Sequence, residues 1–155
     1  MAFGPTDIPK WIFYFSAGAQ WLRTYEIVRD LKNADRNPDW LYYVEPHALY
    51  FAIELFVKAF AAKQNPNFNA RADKNANGKR IGHSATSIIE EYRARVPTFD
   101  VIAKNQRLFN LIKTYEGTLN TRFGETAVSM EGSDTTLLFD TAESLWNEIE
   151  TTRKS

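Results

Sequence analysis

The chain contains no cysteine, and it has two histidines among its 155 residues. Without cysteine there is no disulfide framework, no thiolate metal ligand and no cysteine nucleophile. Two histidines leave little for a zinc centre, which takes several nitrogen or sulfur ligands. We therefore expect neither a metal nor a cofactor, and a fold held together by buried apolar surface.

An excess of charge of one sign is also missing, because 19 basic and 19 acidic side chains cancel. A net charge of zero gives no overall attraction to nucleic acid or to an anionic membrane, so such binding needs a local patch. No segment approaches the ~20 apolar residues of a membrane span. The first ten residues, MAFGPTDIPK, lack the basic and apolar regions of a signal peptide. These features predict a cytoplasmic protein that does not bind membranes.

Apolar residues, by contrast, are abundant. They make up 44% of the chain and include 11 Phe, 7 Tyr and 4 Trp, which is enough for a sizeable core. They recur at steps of three and four, the spacing of one helix face, and no stretch alternates for long enough to demand a strand. Since typical domains have roughly 100–200 residues, we expect a single all-α domain over residues 1–155.

Proline, asparagine and glycine divide the apolar pattern into about five helices. These run from about Pro9 to Leu31, Pro46 to Ala62, Ser84 to Arg95 and Val101 to Asn120, and a fifth opens at Ser133 or Asp134. Ser84 is the predicted N-cap of the third helix, and Pro97 its predicted stop. The mostly short connections are typical of an antiparallel helical bundle.

One predicted connection is long: residues 65–82, NPNFNARADKNANGKRIG, with five asparagines and no apolar period. Loops beyond ~12–15 residues without secondary structure are usually either functional or disordered. From Lys63 to Arg80 the charges sum to +4, whereas Glu125 to Glu150 holds seven acids and no base. The loop is either a solvated, mobile segment or a flap that attracts phosphate. The acidic run is more typical of a solvated helix face than of a metal site.

A polar line crosses the otherwise apolar second helix. Four side chains spaced three, four and four residues apart share one narrow stripe: His47, Tyr50, Glu54 and Lys58. The opposite side is apolar, so we expect this helix at the centre of the bundle. The stripe either faces solvent, where the Glu54–Lys58 pair would contribute a few tenths of a kcal/mol, or meets polar groups of other helices in a cleft shared with His83 and Arg122.

Three further residues are candidates for binding a ligand. His83 precedes the third helix and is either a ligand-facing base or donor, or a residue that anchors the helix start, for example by bonding Glu54. Arg122 either grips a phosphate with two N–H groups or neutralises the carbonyls at the end of the fourth helix. Arg80 belongs to the basic loop.

Three segments, in this order, resemble the HEPN superfamily of small all-helical domains: AIELFVKAF at 52–60, GHSATSII at 82–89 and TRFGE at 121–125. The resemblance covers about His47 to Ile149. It implies frequent dimerisation and one of two activities. Some members are metal-independent ribonucleases with an Arg-x4–6-His motif. Others are non-catalytic modules that bind a nucleotide, RNA or a protein, some of them beside a nucleotidyltransferase-type partner in defence or toxin–antitoxin systems.

The ribonuclease motif is absent from this chain. Residues 40–42 (WLY) and 76–78 (ANG) stand where an arginine would precede His47 and His83. No histidine follows Arg122. We therefore expect a non-catalytic HEPN-like homodimer whose ligand-binding residues come from the polar stripe, Arg80, His83 and Arg122. Two alternatives remain: an atypical metal-independent ribonuclease in which either histidine works with Arg122 or Arg80, and a purely structural bundle that dimerises.

Overall fold

The computed structural model describes residues 8–34, 41–120 and 132–154, apart from the side chains at 32, 41–44 and 117–120. Six helices account for most of these residues: α1 (Lys10–Asn33), α2 (Leu41–Gln64), α3 (Ala85–Tyr92), α4 (Pro97–Lys104), α5 (Gln106–Asn120) and α6 (Gly132–Lys154). Within these ranges β-type pairing is limited to one isolated antiparallel bridge, between Lys74 and Arg80. The predicted all-α class is confirmed.

The helix at the centre is α2, which packs against α1, α3, α5 and α6. Its side chains Leu49, Ile53, Phe56 and Val57 are 0% exposed. Because burying a side chain of this size contributes about 1.5–3 kcal/mol, α2 provides much of the core. The prediction that the second helix lies in the middle is confirmed.

The predicted fourth helix is two helices. Pro97, expected to be a stop, is instead the first residue of α4, where its missing N–H needs no partner. Asn105 then leaves the helical region with φ −83 and ψ 90, and its side chain accepts a hydrogen bond from the Leu108 N–H at 3.2 Å. A single helix from Val101 is therefore wrong, because this asparagine caps a new helix rather than continuing the old one.

The start of the second helix also differs from the prediction. Pro46 lies inside α2, which begins at Leu41. The sequence predicts a helix that begins at about Pro46, and a proline inside a helix removes one backbone hydrogen bond. Here Pro46 is buried and lies in the second turn of α2, and the helix continues through it.

The long connection between α2 and α3 is folded by its asparagines. The Oδ1 atoms of Asn65, Asn69 and Asn75 each accept the backbone N–H two residues further on, at 3.1, 3.0 and 3.0 Å. Such Asx turns replace the hydrogen bonds that a helix or sheet would supply. Gly78 turns the chain back with a φ of 76, a conformation that glycine adopts without strain. The asparagines at these three positions therefore serve to form turns.

This connection is also attached to the core. Phe68 is 0% exposed, and its ring meets those of Tyr14 and Tyr92 edge-on at centroid distances of 6.3 and 5.9 Å. Lys10 Nζ donates to the Phe68 carbonyl at 2.8 Å. Ile81, 3% exposed, adds a second apolar anchor. The segment is thus a packed part of the domain and not merely a solvated linker.

Gly18 lets α1 approach α2 closely. A Cβ atom at this position would lie 2.8 Å from two ring atoms of Phe56, which is fully buried and cannot move away. Glycine-to-alanine changes inside helices ordinarily stabilise by roughly 0.5–1 kcal/mol. We expect Gly18→Ala instead to lower the free energy of unfolding by about 1–3 kcal/mol, the usual cost of overpacking. Chemical denaturation measures this change.

The control for this prediction is Gly132→Ala. Among the residues that the structure describes, none has an atom within 4 Å of a Cβ atom placed at Gly132, the first residue of α6. Its effect should stay within about 0.5 kcal/mol. Equal effects at the two glycines would contradict the close contact between α1 and α2.

Candidate functional site

The polar stripe of α2 lies inside the protein. Tyr50, Glu54 and Lys58 are 4%, 6% and 5% exposed, and His47 at the start of the stripe is half-buried. Both α3 and α5 pack against α2. The interpretation of the stripe as a solvent-facing edge is therefore wrong for these three residues. The stripe instead meets polar groups of other elements.

A chain of contacts leads from this stripe to the surface. Lys58 Nζ lies 3.1 Å from Glu54 Oε1 and 2.9 Å from Nδ1 of the exposed His83. An ammonium group offers only hydrogen-bond donors, so it donates to both atoms. A neutral His83 therefore carries its proton on Nε2. The predicted bond between His83 and Glu54 is not formed, since Lys58 stands between them.

Two groups in this chain of contacts, His83 and Glu54, have pKa values that differ from their ordinary values. The positive charge of Lys58 lowers the pKa of His83, and both burial and the charge of Arg71 act in the same direction. At pH 7 His83 is therefore neutral. Burial raises the pKa of Glu54; the Lys58 charge opposes this rise and the nearby Glu116 carboxylate adds to it.

A carboxylate that the sequence did not single out completes the network. Glu116 on α5 accepts hydrogen bonds from Ser84 Oγ at 3.0 Å and from the Thr86 N–H and Oγ1 at 2.7 and 2.6 Å. Burial raises the pKa of Tyr50, and so do the negative charges of Glu54 and Glu116, the latter accepting the Tyr50 hydroxyl proton in a hydrogen bond. Glu116 sits at the N-terminus of α3, where the helix dipole favours an anion. One carboxylate thus ties α2, α3 and α5 together.

The other predicted residues are spread out. Ser84 caps α3 as expected, accepting the Ser87 N–H at 3.1 Å, so His83 is not the cap. His47 precedes Lys58 on the same helix by about 16 Å along the axis. Because Lys58 contacts His83, the two histidines do not converge. Arg122 lies outside the described residues.

Four exposed cations follow α2 in the long connection: Arg71, Lys74, Lys79 and Arg80. Across residues 8–34, 41–120 and 132–154, none of the four is ion-paired, whereas cations such as Arg93 and Arg153 bind carboxylates. Arg71 is close enough to His83 to lower its pKa. We call these four cations and His83 the cationic surface. It joins the exposed end of the buried network to the basic loop.

Among the residues with described positions, no three histidine, aspartate or glutamate side chains are grouped to hold a metal ion. In the described parts of the chain no helix is long and apolar enough to cross a membrane. No protein-family model, curated protein or solved structure matches the chain. Membership of the HEPN superfamily stays a prediction from the three segments.

Proposed function

We propose that the protein is a non-catalytic, HEPN-like antiparallel helical bundle that binds single-stranded RNA through the cationic surface. The observation that carries this proposal is a group of exposed cations that have no carboxylate partner among the described residues and are held on a packed loop. Such cations attract phosphates by displacing bound counterions. Because the loop is already folded, binding loses less conformational entropy than it would with a disordered segment.

The arrangement of the cations favours RNA over a single nucleotide. Arg71, Lys74, Lys79 and Arg80 are all exposed within one ten-residue stretch of the loop, and the antiparallel bridge between Lys74 and Arg80 places two of them side by side. Several cations close together on one surface suit a chain of phosphates. The HEPN-like segments support a setting in a defence or toxin–antitoxin system, in which a nucleotidyltransferase-type protein is the expected partner.

The protonation of His83 favours binding over catalysis. A general base at a ribose 2′-hydroxyl needs a nitrogen with a free lone pair. Nδ1 of His83 already accepts from Lys58, and Nε2 holds the proton. In this state the ring offers an N–H donor, which suits a phosphate oxygen. These contacts therefore disfavour the ribonuclease alternative in which His83 is the base.

The double variant Arg71→Ala/Arg80→Ala tests the proposal. We expect it to bind a fluorescein-labelled oligouridylate about tenfold more weakly than the parent in about 0.1 M salt. The slope of log K against log salt concentration should fall by about 1.4, since each lost contact to a single strand removes about 0.7. Fluorescence anisotropy across a salt series measures both quantities.

The matched control removes two cations from another element. Arg153→Ala/Lys154→Ala changes α6, which packs against α1, α2 and α5 but not against α3. Its affinity should remain within about twofold of the parent. Equal weakening in the two variants, or a parent without affinity for the oligouridylate, would contradict the assigned surface. Cleavage of the RNA by the parent in EDTA would contradict a purely binding role.

A further inference from the structure

The outward side of α1 carries large apolar side chains. Phe13, Ile27 and Leu31 are 51%, 47% and 41% exposed, although Phe15, Leu22 and other residues on the opposite side of the helix are buried. The exposed three belong to a line of six residues spaced four, three, four, three and four apart. We call this line the α1 seam: Phe13, Ala17, Gln20, Thr24, Ile27 and Leu31.

The spacing of the α1 seam is that of a helix packed along another helix. Alternating steps of four and three generate the a and d positions of a heptad repeat. Phe13, Gln20 and Ile27 then occupy one class of position, and the remaining three occupy the other. Within the described residues no second helix covers this side of α1, because α2 and α6 pack against its other side.

We propose that the α1 seam is a symmetric dimer interface in which α1 of two copies packs antiparallel. With the two-fold axis between Gln20 and Thr24, Phe13 faces Leu31 of the second copy. Ala17 then faces Ile27, and Gln20 faces Thr24. Every layer joins one a and one d position, as antiparallel helix packing requires. A two-fold interface must match itself, and this seam does so in size and polarity.

The polar layer in the middle favours this register. Thr24 Oγ1 donates its proton to the Gln20 carbonyl of its own helix at 2.9 Å. Its oxygen can therefore still accept from the Gln20 amide of the second copy. A parallel arrangement would instead set Ala17 against Ala17 and leave a gap. Polar residues at such positions specify register at some expense of stability.

Charges beside the α1 seam do not oppose the pairing. Arg23 is ion-paired with Glu26 at 3.1 Å, and Arg29 lies 3.5 Å from Asp30. A second copy of α1 therefore meets charges that are largely compensated within the helix. Like charges that face each other across an interface destabilise it by several kcal/mol, and this repulsion is avoided here.

The size of the seam sets the expected affinity. From Phe13 to Leu31 it runs about 27 Å. Contact along this length would bury about 1,000 Å² in total, the lower end for a specific interface. Three large apolar residues per copy and one polar layer are expected to give a dissociation constant in the range of about 1–100 µM. The dimer is therefore concentration-dependent.

Sedimentation velocity from about 5 to about 500 µM tests the dimer. The parent should shift from monomer to dimer, and Ile27→Glu/Leu31→Glu should associate at least about a hundredfold more weakly, because it sets like charges in the seam. Both residues are exposed, so folding should persist, as circular dichroism checks. The control Val101→Glu changes a residue that is 69% exposed on α4 and should dimerise like the parent.

Each remaining outcome of that experiment overturns the proposal. A parent that stays monomeric at the highest concentration removes the interface. A dimer that persists in Ile27→Glu/Leu31→Glu lies on another surface. Equal loss of association in the Val101→Glu control shows that the effect belongs to added charge and not to the seam.

The register can be tested by cross-linking, because the chain has no cysteine of its own. Phe13→Cys and Leu31→Cys proteins are prepared separately and oxidised alone or mixed. Disulfides require Cα atoms within about 7 Å, so the antiparallel dimer predicts a cross-linked product in the mixture and little in either protein alone. Cross-linking of Phe13→Cys with itself would show a parallel pairing and overturn the register, as would a mixture that dimerises without cross-linking.

Discussion

Replacing Lys58 by methionine is expected to lower the free energy of unfolding by about 3–5 kcal/mol at pH 8, the usual result of breaking a buried ion pair. Lys58 and Glu54 side chains are 7% and 8% exposed. Methionine fills a similar volume but leaves the Glu54 carboxylate without its cation. Because the Glu54 side chain is only 8% exposed, its carboxylate is poorly hydrated and must either remain unpaired or take up a proton.

Because the Glu54 carboxylate can take up a proton, the loss of stability in Lys58→Met depends on pH. Burial already raises the pKa of Glu54 above 4.5. At pH values between the pKa of Glu54 in the unfolded protein and its higher pKa in the folded protein, the folded protein binds more protons than the unfolded one. The free energy of unfolding therefore falls as the pH rises through this range. Lys58 opposes the rise in the pKa of Glu54, and removing it extends this window to higher pH. The variant should therefore approach the parent's stability near pH 5 and differ most at pH 8. Urea denaturation across this range measures the difference.

Two variants sharpen the experiment. Lys104→Met removes the lysine of an ion pair with the same spacing along the helix, to Asp100 at 2.8 Å, but the Lys104 side chain is 71% exposed. It should cost less than about 1 kcal/mol. The double variant Glu54→Gln/Lys58→Met leaves no charge at either of these two buried positions and should recover at least half of the loss. A loss of stability in Lys58→Met that is independent of pH, or a double variant at least as unstable as Lys58→Met alone, would contradict the buried pair.

The pKa of His83 provides a second, independent measurement of the effect of Lys58→Met. The Lys58 charge is the main cause of its lowered pKa. In the Lys58→Met protein the pKa of His83 should rise toward 6.5, which an NMR titration of the ring follows. An unchanged pKa would show that Lys58 does not reach the histidine in solution, whatever its effect on stability.

The parts of this site that lie on one helix were predictable. The spacing of Tyr50, Glu54 and Lys58 fixes a common face, because helical periodicity is a local property. Their depth was not predictable, since it depends on how α3 and α5 cover α2. Glu116 shows the limit most clearly. It meets Thr86 across 30 positions of the chain, and neither residue lies in a pattern that indicates the other.

Asparagine explains two further differences between expectation and structure. The sequence predicts Asn105 to be an interior helix residue, yet its side chain caps α5. In the long connection, composition alone did not distinguish a mobile segment from an ordered one. The order comes from Asx turns at Asn69 and Asn75 combined with a single aromatic anchor, Phe68. Polar composition predicts exposure, but the turn geometry is set by individual hydrogen bonds.

That anchor makes a second prediction with a large effect. Phe68→Ala removes a fully buried ring from its contacts with Tyr14 and Tyr92, and we expect the free energy of unfolding to fall by about 3 kcal/mol. The loss should concentrate in the connection. Hydrogen exchange of the Ile81 and Asn75 amides, which donate to Asp73 and Lys79 carbonyls at 3.0 and 2.8 Å, should accelerate more than that of α2 amides.

The control is another fully buried phenylalanine. Phe99 is 0% exposed and packs edge-on against Phe60, so Phe99→Ala should cost a similar amount without singling out the connection. Hydrogen exchange under identical conditions compares the two proteins. The same relative pattern of amide protection in both variants would contradict the role of Phe68 as the anchor.

Binding of RNA separates the two variants further. In Phe68→Ala the cationic surface must be ordered again when RNA binds, and this entropy reduces affinity. We expect about tenfold weaker binding of the oligouridylate with a nearly unchanged salt slope, because all four cations remain. Under conditions in which Phe99→Ala is folded, it should bind the oligouridylate as tightly as the parent does. A lower salt slope in Phe68→Ala would mean that phosphate contacts themselves were lost, and unchanged affinity would mean that the order of the loop contributes nothing to recognition.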